Sequence, residues 1–399
     1  MRKIHALTQY RRNACDMYEE VNMKLDNDKL HAGMTVALLA MVLLVLAVAD
    51  LVTADRFFSE TENRILTQKP EWSLESLLNG SYEEAYESYA TDQFVSRDRW
   101  VMLKTRMDIL LQKKLIKGIY LAQDGYLIEQ HLPEDYDQAL VDKRLEQLRK
   151  LTEQYPETMV MLIPTADNVL TDKLPAYATG YDQAQLLSLV GEAVGEDRII
   201  DVFSILTEHK EEQIYYRSDH HWTTLGAYYG YQQWTQTMGY PPRNYDLQDL
   251  IDVSDSFLGT LHSRINLPME ADTIQIFSRT TNRRVRIVYD YAKEADSYYE
   301  PSYLESKNQY GYFLDDNHAF IEIDTAYVAK DRELFLIKDS YANSLIPILA
   351  PHYEKIYVVD LRYYNGSLFS LMDQYVTSEK VDVLVVYNCI HFLEDFSYR

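Results

Sequence analysis

"ELFLIKDSYANSLIPILAPHYEKIYVVDL", residues 333–361, decides the fold. "ELFLI" and "KIYVV" are short apolar runs without polar alternation, the pattern of strands buried on both faces. Between them "YANSLIPILAPHY" reads as a short helix, and strand, helix and strand in such close succession form a parallel crossover unit. The unit repeats downstream, with "SLFSLMDQYV" as a helix and "VDVLVVYN", ending at Asn388, as a last buried strand. Upstream the same rhythm runs through a helix over 137–153, a strand "TMVMLIP", a helix over 182–194, a strand "RIIDV" and a helix ending near Met238. The alternation predicts an α/β fold, a parallel sheet flanked by helices. Residues 244–317 break the rhythm and read as a β-containing insertion, with a hairpin expected in "DTIQIFSRTTNRRVRIVYD". In "IYLAQDGYLIEQ" the Asp124-Gly125 pair between two apolar runs predicts a second hairpin.

The N-terminal part is of another kind. Ala32 to Ala49 is an uncharged apolar run, roughly 27 Å long as a helix and close to the thickness of a bilayer core. Arg2, Lys3, Arg11, Arg12, Lys24 and Lys29 precede it, against Arg56, Arg64 and Lys69 after it, a bias that predicts a cytoplasmic N-terminus. A small-residue pattern at Ala47 to Asp50 also resembles a cleavage site, but the leader before the run is long for a signal peptide, so an uncleaved anchor is expected. The expected organisation is a cytoplasmic tail over 1–31, a transmembrane anchor over 32–54, a juxtamembrane tether and two amphipathic helical patterns over 55–115, and an extracytoplasmic domain over 116–399. Sixty-two acidic against 39 basic residues give a formal charge of -23, which repels nucleic-acid phosphates in the absence of a basic patch. Cys15 and Cys389 fall on opposite sides of the expected membrane, so no disulfide is expected.

In a sheet of this kind the turns after the parallel strands face one crevice. Ser340 stands in such a turn, where the backbone N–H groups at the start of a helix can stabilise an oxyanion. It can equally cap that helix, as can Asp339. A serine nucleophile needs an imidazole to take its proton and an acceptor to orient the imidazole. "SDHHW", residues 218–222, holds both, and residues two apart in an extended segment share a face, so Asp219 pairs with His221 while His220 points elsewhere. Ser218 or Asp219 as a helix cap, and Asp219 with the histidines as metal ligands, stand as competing readings; ligand count argues against the metal. His262 and His318 read as packing or surface residues, and the load of 34 Tyr reads mainly as core.

"DHHWTTLGAYYGY", "KDSYANSLIPILAPHYEKIYVVDLRYY" and "FFSETENRIL" together resemble the DHHW family, SGNH-hydrolase-like bacterial proteins related to the alginate O-acetylation machinery. The resemblance runs from about Phe57 to Asn388 and implies an SGNH-like, flavodoxin-like domain with permuted motif order. It implies Ser340 as nucleophile, His221 as general base and Asp219 as its orienting carboxylate. By strand order Asn388 falls where such enzymes place an oxyanion donor, with Arg362 and Tyr341 as further oxyanion or substrate contacts. Lys338 stands where the family of hydrolases has the glycine of its G-D-S block, and no G-x-N-D surrounds Asn388. The implied activity is O-acyl transfer, most naturally of acetyl, onto a cell-surface or exported polysaccharide, without cofactor or metal. The implied partner is a multi-pass membrane-bound O-acyltransferase that supplies the acyl group. An acetyl-glycan esterase of the same fold and a catalytically silent glycan-binding scaffold are the alternatives.

Overall fold

The computed structural model describes residues 2–59, 61–243, 245–281, 284–325 and 332–398, and of residues 2–27 chiefly the backbone. The chain divides into two compact units, one of residues 1–59 with 64–99 and one of residues 60–63 with 100–399.

The first unit begins with one helix, α1 (Arg2–Val52), whose Asp28–Val52 portion is long and apolar enough to cross a membrane. Cys15 has its side chain outside the described residues, so the disulfide expectation is not addressed there. Phe58–Ser59 pairs antiparallel with Arg64–Ile65. The first amphipathic pattern forms two helices, Leu74–Leu78 and Ser81–Gln93, because Gly80 takes φ of 80° between them. That left-handed conformation ends one helix and leaves the next to start afresh. Arg64 forks onto Asp92 at 2.9 and 2.6 Å.

The second unit is built on a seven-stranded sheet. Its strands are β1 (Thr158–Ile163), β2 (Arg286–Tyr289), β3 (Lys293–Ala295), β4 (Phe320–Asp324), β5 (Glu333–Lys338), β6 (Lys355–Asp360) and β7 (Val381–Asn388). They lie in the order β3-β2-β4-β6-β5-β7-β1. The four strands from β6 to β1 are mutually parallel, as the alternation predicts. The other three join antiparallel, so the sheet is mixed. Along β5, Leu334 and Leu336 enter one apolar cluster and Phe335 and Ile337 another. This is period-two burial on both faces, and it explains why the strand reads as an unbroken apolar run. Helices α2 (Gln138–Gln154) and α3 (Gln183–Val194), α4 (Val202–Glu208) and α5 (Thr224–Met238), α6 (Ala342–Leu349), α7 (Leu368–Tyr375) and α8 (Cys389–Asp395) complete the layers.

The irregular block corrects one expectation. Asp272–Phe277 does not pair with Arg286–Tyr289; it pairs with Leu250–Phe257 in a separate two-stranded sheet. Residues Ser278–Thr281 turn helical between the two expected strands, and the rest of that turn, Asn282 and Arg283, lies outside the described residues. β2 instead continues the main sheet beside β4, so the insertion widens the sheet. The expected turn at Asp124-Gly125 is present: Ile119–Leu121 pairs antiparallel with Leu127–Glu129, with φ of 55° at Asp124 and 77° at Gly125. Most of the bulkiest fully buried side chains are tyrosines, Tyr215, Tyr231 and Tyr353 among them, which places much of the tyrosine load in the core.

Candidate active site

The carboxyl ends of β5, β6 and β7 align in register, Lys338 with Asp360 and with Val386. The β5–α6 turn, Asp339-Ser340-Tyr341, therefore opens at the sheet edge where the crevice of an open α/β fold lies. Asp339 pins this turn. Its Oδ1 accepts from the Tyr341 N–H at 2.9 Å, and its Oδ2 accepts from the Asn388 N–H at 2.9 Å and from Asn388 Nδ2 at 3.0 Å. His391 Nδ1 also meets Oδ2, at 2.8 Å.

The histidine block comes from a tight loop. Tyr215 bridges to Trp222, the Tyr216 N–H donates to the His221 carbonyl at 3.2 Å, and Thr223 caps α5. In the competing reading Ser218 or Asp219 caps this helix, but both are engaged elsewhere. Ser218 donates to Asp272 Oδ2 at 2.6 Å, and Asp219 faces His221. Trp222, fully buried, donates Nε1–H to the Tyr341 carbonyl at 2.9 Å and so ties the histidine loop to the serine turn. The loop can close this tightly on α5 because residue 226 is glycine: a Cβ there would lie 2.4 Å from the Ile214 carbonyl oxygen.

These supports bring three side chains into line. Asp219 Oδ1 lies 2.6 Å from His221 Nδ1, and His221 Nε2 lies 2.8 Å from Ser340 Oγ, across 119 positions of sequence. Asp219 Oδ2 accepts from the Thr260 N–H at 2.7 Å and from Thr260 Oγ1 at 3.0 Å. Gly259 leaves room for the carboxylate, since a Cβ at that position would stand 2.2 Å from Oδ2. Burial opposes ionisation of Asp219, but the neighbouring imidazoles and the Thr260 N–H outweigh it and hold its carboxyl below the usual range. The acid is thus a carboxylate that can only accept, which fixes the proton of His221 on Nδ1 and leaves Nε2 with its lone pair toward the serine. Tyr310 stacks flat on the His221 ring at 3.8 Å and donates to the Ser340 carbonyl at 3.1 Å.

His220 leans over His221 with ring centroids 3.9 Å apart and pairs through Nδ1 with Thr260 Oγ1 at 2.8 Å. Burial above all pushes its pKa down to about 3, so it stays neutral. Asp219, His220 and His221 bring donor atoms within 4.8 Å of one another. The 2.6 Å separation of Asp219 Oδ1 and His221 Nδ1 is nevertheless that of a shared proton, shorter than two ligands on one tetrahedral ion adopt at bond lengths of about 2.0–2.3 Å.

The remaining expected residues take other places. Asn388 caps α8, its Oδ1 accepting from the Ile390 and His391 N–H groups while Nδ2 serves Asp339. With both ends of the carboxamide engaged, and with Asn388 lining a neighbouring cleft and not the Ser340 cleft, the structure gives it an anchoring place. Tyr341 is fully buried and donates its hydroxyl to the His220 carbonyl, so its side chain holds the histidine loop instead of facing the cleft. Arg362 forks onto Asp360 through Nε at 2.9 Å and Nη2 at 2.7 Å, and lines the cleft that Ser340 opens into. His262 is buried beside Lys307, and His318 pairs with Asp290. Thr260, Asp272 and Tyr310 complete the site without any local sequence signal; all three come from the irregular block.

Lys338, at the position where a glycine was expected, is fully buried and bonds Asn317 Oδ1 at 3.0 Å, Asn343 Oδ1 at 2.8 Å and Asp360 Oδ2 at 3.2 Å. Burial lowers its pKa, and its charge is balanced by Asp360. Asp360→Ala strands the fully buried Lys338 and frees the half-buried Arg362, so the loss of unfolding free energy is expected to be roughly 3–5 kcal/mol. Chemical denaturation checks it, and a loss under about 1 kcal/mol would contradict the pairing.

The Asp339–His391 pair makes stability depend on pH. Burial works against the His391 imidazolium, but the hydrogen bond and charge of Asp339 outweigh it and raise the His391 pKa above its ordinary value. Its contribution is therefore complete below the unfolded-state pKa and is lost as pH rises through the raised value. Burial also opposes the Asp339 carboxylate, and His391 and Arg362 hold it down to about 2, so its contribution is lost only as pH falls through that value. The thermal midpoint is expected to fall as pH rises from the ordinary imidazole range through the raised His391 pKa, and to fall less in His391→Gln. An identical slope in both proteins would contradict the pair's role.

The matches to known proteins fit this architecture. Solved structures similar to the chain include these two. One is a DHHW family protein from Eubacterium siraeum, 20% identical, with a TM-score of 0.56, covering 70% of this chain and 93% of its own. The other is Bacillus cereus PatB1 with a sulfonyl adduct, 19% identical, with a TM-score of 0.57, covering 69% of this chain and 97% of its own. At these identities the likeness is one of fold. A comparison with curated proteins finds no match. The family model described as DHHW protein matches residues 157–359, more than half of the chain, a span that contains the histidine loop, the serine turn and most of the insertion between them. The chain belongs to the DHHW protein family.

Proposed function

We propose that the protein is a membrane-anchored, extracytoplasmic O-acyltransferase that moves an acyl group, acetyl by the motif resemblance, onto hydroxyls of a cell-surface or exported polysaccharide. The observation that carries this reading is the unbroken chain from Asp219 through His221 to Ser340, at 2.6 and 2.8 Å, with Ser340 opening into a cleft. His221 Nε2 takes the Ser340 proton as Oγ bonds to the acyl carbonyl carbon, and the imidazolium so formed faces the Asp219 carboxylate. The same proton passes to the leaving group as the tetrahedral intermediate collapses to an acyl-serine. An acceptor hydroxyl then gives its proton to His221 and attacks that ester, which releases acylated glycan and restores Ser340. The Ser340 N–H has no acceptor among the described residues and serves as an oxyanion donor. Arg362, held by Asp360 and with no Nη1 partner among the described residues, brings positive charge to the same cleft.

The apolar portion of α1 supports the anchor, and the excess of basic residues before it supports an extracytoplasmic position for the second unit. Acyl groups are activated in the cytoplasm, so a membrane-bound O-acyltransferase partner is the proposed donor. The reading is tested with the full-length protein, a chromogenic acetyl ester and a neutral oligosaccharide. Acetylated sugar is the expected product. Free acetate alone, unaffected by sugar, would point to an esterase. Sugar binding without ester turnover would point to a scaffold.

A further inference from the structure

A second cleft adjoins the one that Ser340 opens into, and the two share Asp219, His220 and His391 as a common wall. Their other linings differ in charge. On the Ser340 side Lys307 and Arg362 stand with Asp316. On the far side Glu129, Asp135, Asp167 and Glu394 stand with no Lys or Arg among the lining residues. Two of these carboxylates are already placed as acceptors: Asp167 Oδ2 faces His131 Nδ1 at 3.2 Å, and Glu394 accepts from the Tyr136 hydroxyl at 3.1 Å. Burial opposes the His131 imidazolium, but the hydrogen bond and charge of Asp167 outweigh it and raise its pKa. Glu129 is paired with Arg264 and Asp167 with His131, so the exposed Asp135 and Glu394 carry the unbalanced negative charge of the cleft.

Leu127, Leu261, Ile390 and the Tyr136 ring add apolar surface between the acids. Apolar patches ringed by hydrogen-bond acceptors complement a sugar, whose C–H faces are apolar and whose hydroxyl or ammonium groups donate. The same acids repel a sugar carboxylate. A glycan that presents one hydroxyl to Ser340 has its next units beside the shared wall, so the second cleft is where they come to lie.

We infer that this second cleft is a subsite for the neighbouring units of the acceptor glycan, selecting uncharged or amino-bearing sugars over uronates; the inference rests on the acyl-transfer reading above. The test uses full-length protein in detergent, p-nitrophenyl acetate as donor, and glucosamine, N-acetylglucosamine and galacturonate oligomers of equal length as acceptors. Transfer to the first two is expected to exceed transfer to galacturonate by about tenfold or more in kcat/KM. Asp135→Lys with Glu394→Lys, both exposed positions, is expected to raise KM for glucosamine oligomers and lower it for galacturonate, each by about tenfold. Thermal unfolding checks that this variant is folded. Equal use of all three acceptors, or a preference untouched by the double substitution, overturns the subsite while leaving acyl transfer standing. If wild-type protein forms no acetyl-Ser340 with the donor alone, both readings fall.

Discussion

Ser340→Ala is expected to lower acyl turnover by roughly 10⁴-fold or more while leaving the fold intact. The serine hydroxyl is the one nucleophile at the end of the Asp219–His221 chain, and its Oγ is 2.8 Å from Nε2. Removing it leaves a methyl group in a turn whose shape is set by other contacts, those of Asp339 with Tyr341 and Asn388 and of Trp222 with the Tyr341 carbonyl. The thermal midpoint should therefore barely move. What survives is the rate owed to binding and oxyanion stabilisation alone. A variant that keeps more than about a tenth of the turnover would remove the serine from the chemistry.

The second large effect is expected from Asp219→Asn, at roughly 10³–10⁴-fold in kcat. Both carboxylate oxygens accept backbone hydrogen bonds, Oδ1 from the His221 N–H at 3.0 Å and Oδ2 from the Thr260 N–H at 2.7 Å. An asparagine must point its NH2 group at one of these donors. The shorter Thr260 contact favours keeping the carbonyl oxygen there, which turns the NH2 toward His221. Nδ1 must then accept, the proton moves to Nε2, and the ring presents a donor to Ser340 where it should present a lone pair. The wrong tautomer, with the loss of the charge that balances the imidazolium, accounts for the size of the effect. If the residue only shaped the loop, the change would appear in stability with kcat near its original value.

The parallel half of the sheet was legible because β5, β6 and β7 are apolar on both faces and separated by short helical runs. The pairing of "SDHHW" with "KDS" was legible because nucleophile and base obey local rules, a serine after a buried strand and an acid two residues before a histidine. What was not legible depends on distant partners. Asn388 stands at the end of the expected strand, yet its role is set by Asp339, 49 positions away. Tyr341 was expected as an oxyanion or substrate contact, but its hydroxyl donates to the His220 carbonyl and its ring is buried. Lys338 in place of glycine reads as a defect until Asp360 and the two asparagines supply its partners.

The hairpin in the insertion was misassigned for a related reason. The partner of Asp272–Phe277 is "LIDVSDSF", Leu250–Phe257, a stretch whose Asp and Ser residues strands disfavour. Asp252, Asp255 and Ser256 are exposed and Ser254 is half-buried, and register shifts break the strand between Asp252 and Ser254 and between Ser254 and Phe257. The same block delivers Thr260, Asp272 and Tyr310 to the site, where they hold Asp219, Ser218 and the His221 ring. An irregular segment with no periodicity hides such contributions, since its side chains are placed by long-range contacts alone.

The central claim is that Ser340 is the acyl carrier. Full-length protein is incubated with p-nitrophenyl acetate in the absence of acceptor, quenched in acid and digested, and the acetylated peptide is located by mass spectrometry. One acetyl group is expected on the Ser340 hydroxyl, formed in wild type, lost on adding acceptor oligosaccharide, and not formed in His221→Ala. Acetylation confined to any other residue, or an acetyl-Ser340 that forms equally fast without the His221 imidazole, would contradict it.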